Sequence, residues 1–154
     1  LATLYFGQGQ YIQAKEYFIQ LGMQHPFSAL TSKAWFWAAE SALSKEDARE
    51  YRSIVYKQYP LSEVAPIAYF RQFSYEEYFE GHVDAIQHLR GFQDLFPHSP
   101  LLIAAHYLIG HNEKTSKKKQ LQFEEGLKTF ENYLSNTSEP QASFAFFYYQ
   151  TMLE

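Results

Sequence analysis

The chain has 154 residues, 46% of them hydrophobic and 19% charged, with a net charge of −4. That balance belongs to a folding sequence, and it supplies no basic field to condense on nucleic acid or an anionic membrane. Cysteine is absent, which excludes disulfide frameworks and cysteine metal sites, and no apolar run approaches the ~20 residues of a membrane helix.

One phrase recurs along the chain: Ala, then Pro twelve residues later, Ser two further on, and Ala six beyond. Ala14, Pro26, Ser28 and Ala34 form the first copy, Ala48, Pro60, Ser62 and Ala68 the second, Ala85, Pro97, Ser99 and Ala105 the third. Periods of this length mark stacked repeat units rather than one closed core.

In chain order, Gln10 to His25 carries Tyr11, Ala14, Tyr17, Phe18 and Leu21 at helical spacing. Ala48, Tyr51, Val55 and Tyr59 repeat the stripe, as do Ala85, Leu89, Phe92 and Phe96. Each block should end near its Pro, because the residue before proline is biased away from helical angles. Ser28, Ser62 and Ser99 are then expected as N-caps of helices of about 14–18 residues. Pro66 falls in a first turn, where a missing N–H costs least. Ala34, Ala68 and Ala105, with Ala39 and Gly110 five residues on, provide close helix crossings; Phe73 breaks that column. Ala14, Ala48, Ala85 and Gly126 serve the partner helices. Short connections make each repeat an antiparallel helix pair.

The second unit turns quickly, Leu43–Asp47 leading straight into Ala48. The fourth has an insertion, His111 to Lys119, read as a longer polar surface turn. Ala142 to Leu153 is apolar almost all round, unlike the polar cap that ends a solenoid. It motivates a covering repeat or self-association through 142–153. The start at Leu1, mid-pattern, suggests a piece of a longer protein. The division expected is one helical-repeat domain: a partial unit 1–26, units 27–60, 61–97 and 98–139, and the start of another at 140–154.

The run Gly9-Gln10-Tyr11-Ile12-Gln13-Ala14-Lys15-Glu16-Tyr17-Phe18 resembles the helix-turn-helix core of the tetratricopeptide repeat. Tyr59-Pro60-Leu61-Ser62, Phe96-Pro97-His98-Ser99 and Ala105 to Gly110 resemble a branch containing bacterial periplasmic proteins of the cell envelope, of the outer-membrane β-barrel assembly lipoprotein and Tol-Pal coordinator type. The resemblance implies an all-α, right-handed superhelix of antiparallel helix pairs, about 7–8 helices. It implies a non-enzymatic scaffold that binds a protein or peptide partner, with no cofactor and a periplasmic or envelope setting favoured over the cytoplasm. Its concave columns map to Phe36, Glu40 and Leu43, then Phe70, Ser74 and Glu77, then Tyr107, His111 and Lys114. The Lys and Asn clamp that grips a terminal carboxylate in some members is missing. An aromatic groove suits an apolar helix or extended segment; the alternative is that Phe36, Phe70 and Tyr107 pack between helices.

No catalytic or metal constellation stands out. His82 and His88 are six apart, His106 and His111 five apart, and neither pair shares a helix face well. His25 and His98 flank the junction prolines. Gly7-Gln8-Gly9-Gln10 lacks the third glycine and the strand of a phosphate-binding turn. Glu76-Glu77 and Glu124-Glu125 diverge on a helix. Other functions remain open: a docking or regulatory arm of an enzyme whose catalytic part lies elsewhere, or a self-associating module.

Overall fold

The computed structural model describes residues 1–74 and 85–136. Every regular element among them is helical: α1 (Ala2–Gly7), α2 (Tyr11–Gln24), α3 (Thr31–Glu40), α4 (Lys45–Gln58), α5 (Ala65–Arg71), α6 (Ala85–Leu95), α7 (Leu102–Asn112) and α8 (Ser116–Asn136). Packing divides the chain into two compact units, Leu1–Gln72 and Phe73–Glu154. In the first, α1 to α5 pack in series, each on its neighbour in sequence; in the second, α7 packs on both α6 and α8. Among the described residues no helix is long and apolar enough to cross a membrane.

The prolines punctuate as expected. α2, α4 and α6 end at Gln24, Gln58 and Leu95, each two residues before its Pro. His25 and Tyr59 have nearly the same bent backbone, φ −128° and −127°. Four backbone hydrogen bonds then recur at all three junctions. The N–H groups of His25, Tyr59 and Phe96 donate to Leu21, Val55 and Phe92, and those of Ser28, Ser62 and Ser99 donate to the carbonyls of His25, Tyr59 and Phe96. Thr31, Ala65 and Leu102 donate to the three serines, and Ala34, Ala68 and Ala105 to Leu30, Val64 and Leu101. The sequence phrase is thus one turn geometry written three times.

The serines do a different job from the one expected. They stand three residues ahead of their helices, and the N-cap positions belong to Leu30, Val64 and Leu101. Ser28 and Ser99 Oγ accept from the N–H two residues on, in Leu30 and Leu101. That is the local turn a hydroxyl stabilises in competition with a helix start. α3 and α7 are accordingly shorter than expected, at 10 and 11 residues. A true side-chain cap occurs at α4, where Ser44 Oγ accepts from Asp47 N–H, so α4 begins at Lys45, three residues before Ala48. The polar insertion is also mostly helix. α7 runs through Asn112 and α8 starts at Ser116, leaving a three-residue turn, since lysine and glutamine are good helix formers.

The α1–α2 turn shows why Gly9 is glycine. Its φ is +74°, the left-handed region L-residues avoid. Gln10 N–H reaches back to Tyr5 O and Gly9 N–H to Phe6 O, the paired bonds of a Schellman close. Gly9 is therefore accounted for by the turn. Beyond it, Ala14, Phe18 and Ala38 form a buried cluster with Tyr5, Phe6, Ile19 and Tyr51 packed around it. In the second unit Ile103 and Phe130 do the same, with Tyr107, Phe123 and Leu127. The expected small residues are buried: Ala34, Ala39, Ala68, Ala105, Ala14, Ala48 and Ala85, and Gly110 and Gly126 with them. Phe73, the exception, is buried and stacks on His88 at 4.0 Å between ring centroids.

Candidate functional site

In the first unit, contacts between repeats step by almost one period. Lys15 Nζ lies 2.9 Å from Asp47, 32 residues on; Tyr59 O–H donates to Pro26 O, 33 apart; Arg71 pairs with Glu40, 31 apart. Lys15 is held above its ordinary lysine range chiefly by the hydrogen bond to Asp47, and that bond in turn holds Asp47 below the usual carboxylate range. Both groups are accessible enough for salt to screen the pair.

Among the expected column residues of the first unit, Glu40 holds two arginines. Its side chain is 15% exposed, with Arg52 Nη2 3.4 Å from Oε1, while Arg71 pairs with Oε2. Glu40 ends α3, Arg52 lies mid-α4 and Arg71 ends α5, so one carboxylate ties three successive helices. The Arg71 guanidinium also sits 5.8 Å from the Phe36 ring centroid, within cation–π range. Phe36 and Phe70 are themselves buried. Leu43, at 71% exposed, is the column's most accessible side chain.

Arg52 was the residue the periodicity should have flagged. It takes the place in α4 that Phe18 takes in α2 and Leu89 in α6, four residues after the Ala of each block, and it is buried like them. A guanidinium on an apolar stripe demands an anion, and Glu40 supplies it. Glu40→Gln should cost about 1–2 kcal/mol, the worth of charge-assisted hydrogen bonds that remain partly open to water. Chemical denaturation should register that loss, and 1 M salt should shrink the difference from the unaltered protein.

In the second unit Tyr107 of the expected columns meets His111 of the same column. Its ring stacks on Phe123 at 6.0 Å and 11°, and the His111 ring lies 5.9 Å away. Lys119 Nζ sits 5.6 Å from the Phe123 ring centroid. His111 and Lys114 are exposed and Ser74 is buried. Glu77 and the 142–153 segment lie outside the described residues. A small cleft of about 180 Å³ opens nearby, lined by Arg90, His106, Gln122 and Glu125 among others. A larger one of about 450 Å³ runs along Pro97 to Pro100 and the last turns of α8. Among the described residues no three side chains are placed to hold a metal ion.

No family model, no curated protein and no solved structure matches this chain.

Proposed function

We propose that this chain is a tetratricopeptide-type binding scaffold, its helix pairs stacked as a right-handed superhelix, which holds a peptide, helix or folded partner and catalyses nothing. The backbone hydrogen-bond pattern shared by the three junctions carries this reading. Units built alike and packed in series form no closed pocket of their own; they present repeated side-chain columns along a surface. The accessible column residues here are Leu43, His111 and Lys114, with Tyr107 half-buried, which favours an apolar segment bearing a few polar groups. A cell-envelope setting belongs to the same proposal and is supported by the junction residues alone.

The test must use exposed column residues, because truncating buried Phe36 or Phe70 would disturb packing as well as binding. Leu43→Asp combined with Lys114→Glu, in the full-length protein, should reduce recovery of captured partners at least about tenfold, the scale of one lost anchor. The melting temperature should stay put. Undiminished capture by that variant would remove these columns from the binding surface.

A further inference from the structure

The cleft of about 180 Å³ between α6, α7 and α8 combines an apolar floor with an open acceptor. Leu89 of α6 and Leu102, Ala105 and Ile109 of α7 line it, and all four are buried. His106 lines it with them and is itself 6% exposed. Helical spacing puts Leu102, Ala105, His106 and Ile109 on one face of α7, with Tyr107 and His111 of the expected columns on the opposite face. The cleft is therefore a different surface from those columns.

Both polar contacts of the His106 ring fall on one nitrogen. Nδ1 lies 3.3 Å from Gln122 Oε1 and 3.8 Å from Glu125 Oε2. Gln122 Nε2 donates to the same Glu125 oxygen at 3.0 Å. An ionised carboxylate only accepts, so that bond fixes which end of the amide meets His106. Gln122 Oε1 is then the acceptor, Nδ1 carries the proton of the neutral ring, and Nε2 is left with a lone pair. Nε2 has no hydrogen bond among the described residues, and it is not one of the polar atoms sealed from solvent without a partner. It therefore opens into the cleft. The charged groups of the rim are already answered: Arg90 pairs with Glu113, and Glu125 holds Gln122.

We propose that this cleft is a socket for one tyrosine side chain of a partner protein, the ring lying on Leu89, Leu102 and Ile109 and the phenolic O–H donating to His106 Nε2. Volume and chemistry select that side chain together. An apolar cavity of about 150 Å³ takes one benzene ring, so 180 Å³ matches a phenol more closely than the fused rings of tryptophan. Phenylalanine would fill the same space but leave Nε2 covered without a donor, which costs more than the bond itself is worth. With both rim charges paired, the cleft calls for a neutral group. Tyrosine joins an apolar body to a polar tip, which suits it to such half-wet recognition sites.

The test is an NMR titration of the full-length protein at pH 8, above the ordinary histidine value of about 6.5, with N-acetyl-tyrosinamide and N-acetyl-phenylalaninamide as probes. The tyrosine probe should move the His106 ring and the Leu102 and Ile109 methyl signals in one saturable transition, with a Kd on the order of 1 mM for so small a ligand. The phenylalanine probe should bind about tenfold more weakly, the scale of one hydrogen bond. Equal affinities, or no saturable shift with either probe, would overturn the socket. Shifts confined to Tyr107 and His111 would overturn it too, while supporting the columns as the binding surface. His106→Phe should erase the difference between the probes, and a difference that persisted would overturn the acceptor assigned here; if that variant folds poorly, the titration of the unaltered protein decides alone. The Leu43→Asp, Lys114→Glu variant should bind the tyrosine probe unchanged, so this socket and the columns stand or fall separately.

Discussion

Phe92→Ala should cost about 3–5 kcal/mol, the range for removing a fully buried ring from a core that cannot collapse around the hole. Phe92 is 0% exposed on α6, with the Phe96 ring tilted against it at 5.2 Å. Its carbonyl also accepts from Phe96 N–H just before the third junction, so the packing and the turn meet at this residue. A loss of that size is a large share of the total stability of a small domain, roughly 5–15 kcal/mol. Phe27→Ala is the control. Phe27 follows the first junction proline and is 100% exposed, so its removal should change stability by less than about 0.5 kcal/mol. Urea denaturation of both variants decides the matter; comparable losses would mean that the α6 stripe is not the centre of its unit.

The contrast between those two rings explains what the sequence could reveal. Helical spacing placed Leu89 and Phe92 on one buried stripe, and both are buried. Proline chemistry located the ends of α2, α4 and α6 because the constraint acts within two residues. The serines misled because two local geometries share one signature. A hydroxyl two places after Pro can cap a helix or close a turn onto the N–H two residues on, and the distinction is a three-residue displacement that composition does not encode. Ser62 shows the difference in chemistry: its Oγ is buried without a hydrogen bond, while its backbone keeps the shared pattern.

The candidate site was less legible than the fold. Column mapping put Phe36 and Glu40 on one face, and the structure does bring them together through Arg71. It could not separate accessible from buried members, because Phe36 and Phe70 occupy the same spacing as surface positions would. The Arg71 guanidinium lies near the Phe36 ring, and long side chains reach across helices without leaving a trace in periodicity. The clue was an interruption: arginine on a stripe where the other two copies have phenylalanine and leucine. The histidines gave a similar lesson. Spacing along the chain correctly separated His106 from His111, but the group that matters to His106 is Gln122 on the next helix.

Gly22→Val and Gly110→Val should each cost about 2–3 kcal/mol, through overpacking that outweighs any gain in helix propensity. A Cβ on Gly110 would lie 2.5 Å from Phe123 Cε1. That ring is pinned by Tyr107 on one side and approached by Lys119, so it has little freedom to swing away. A Cβ on Gly22 would lie 2.6 Å from Trp35 Cε2, and Trp35 in turn leans on Tyr51. Gly110 belonged to the small-residue column of the repeats; Gly22 did not, and only the position of the Trp35 ring explains it. Alanine gives the sharper comparison. At Gly7 a Cβ would meet nothing within 4 Å, so Gly7→Ala should gain up to about 1 kcal/mol from helix propensity alone. Gly22→Ala and Gly110→Ala should forfeit that gain to the clash and melt lower than the Gly7→Ala protein. Three alanine variants with the same melting temperature would mean that neither aromatic ring is held against its glycine, and the close helix approach on which both units are built would have to be abandoned.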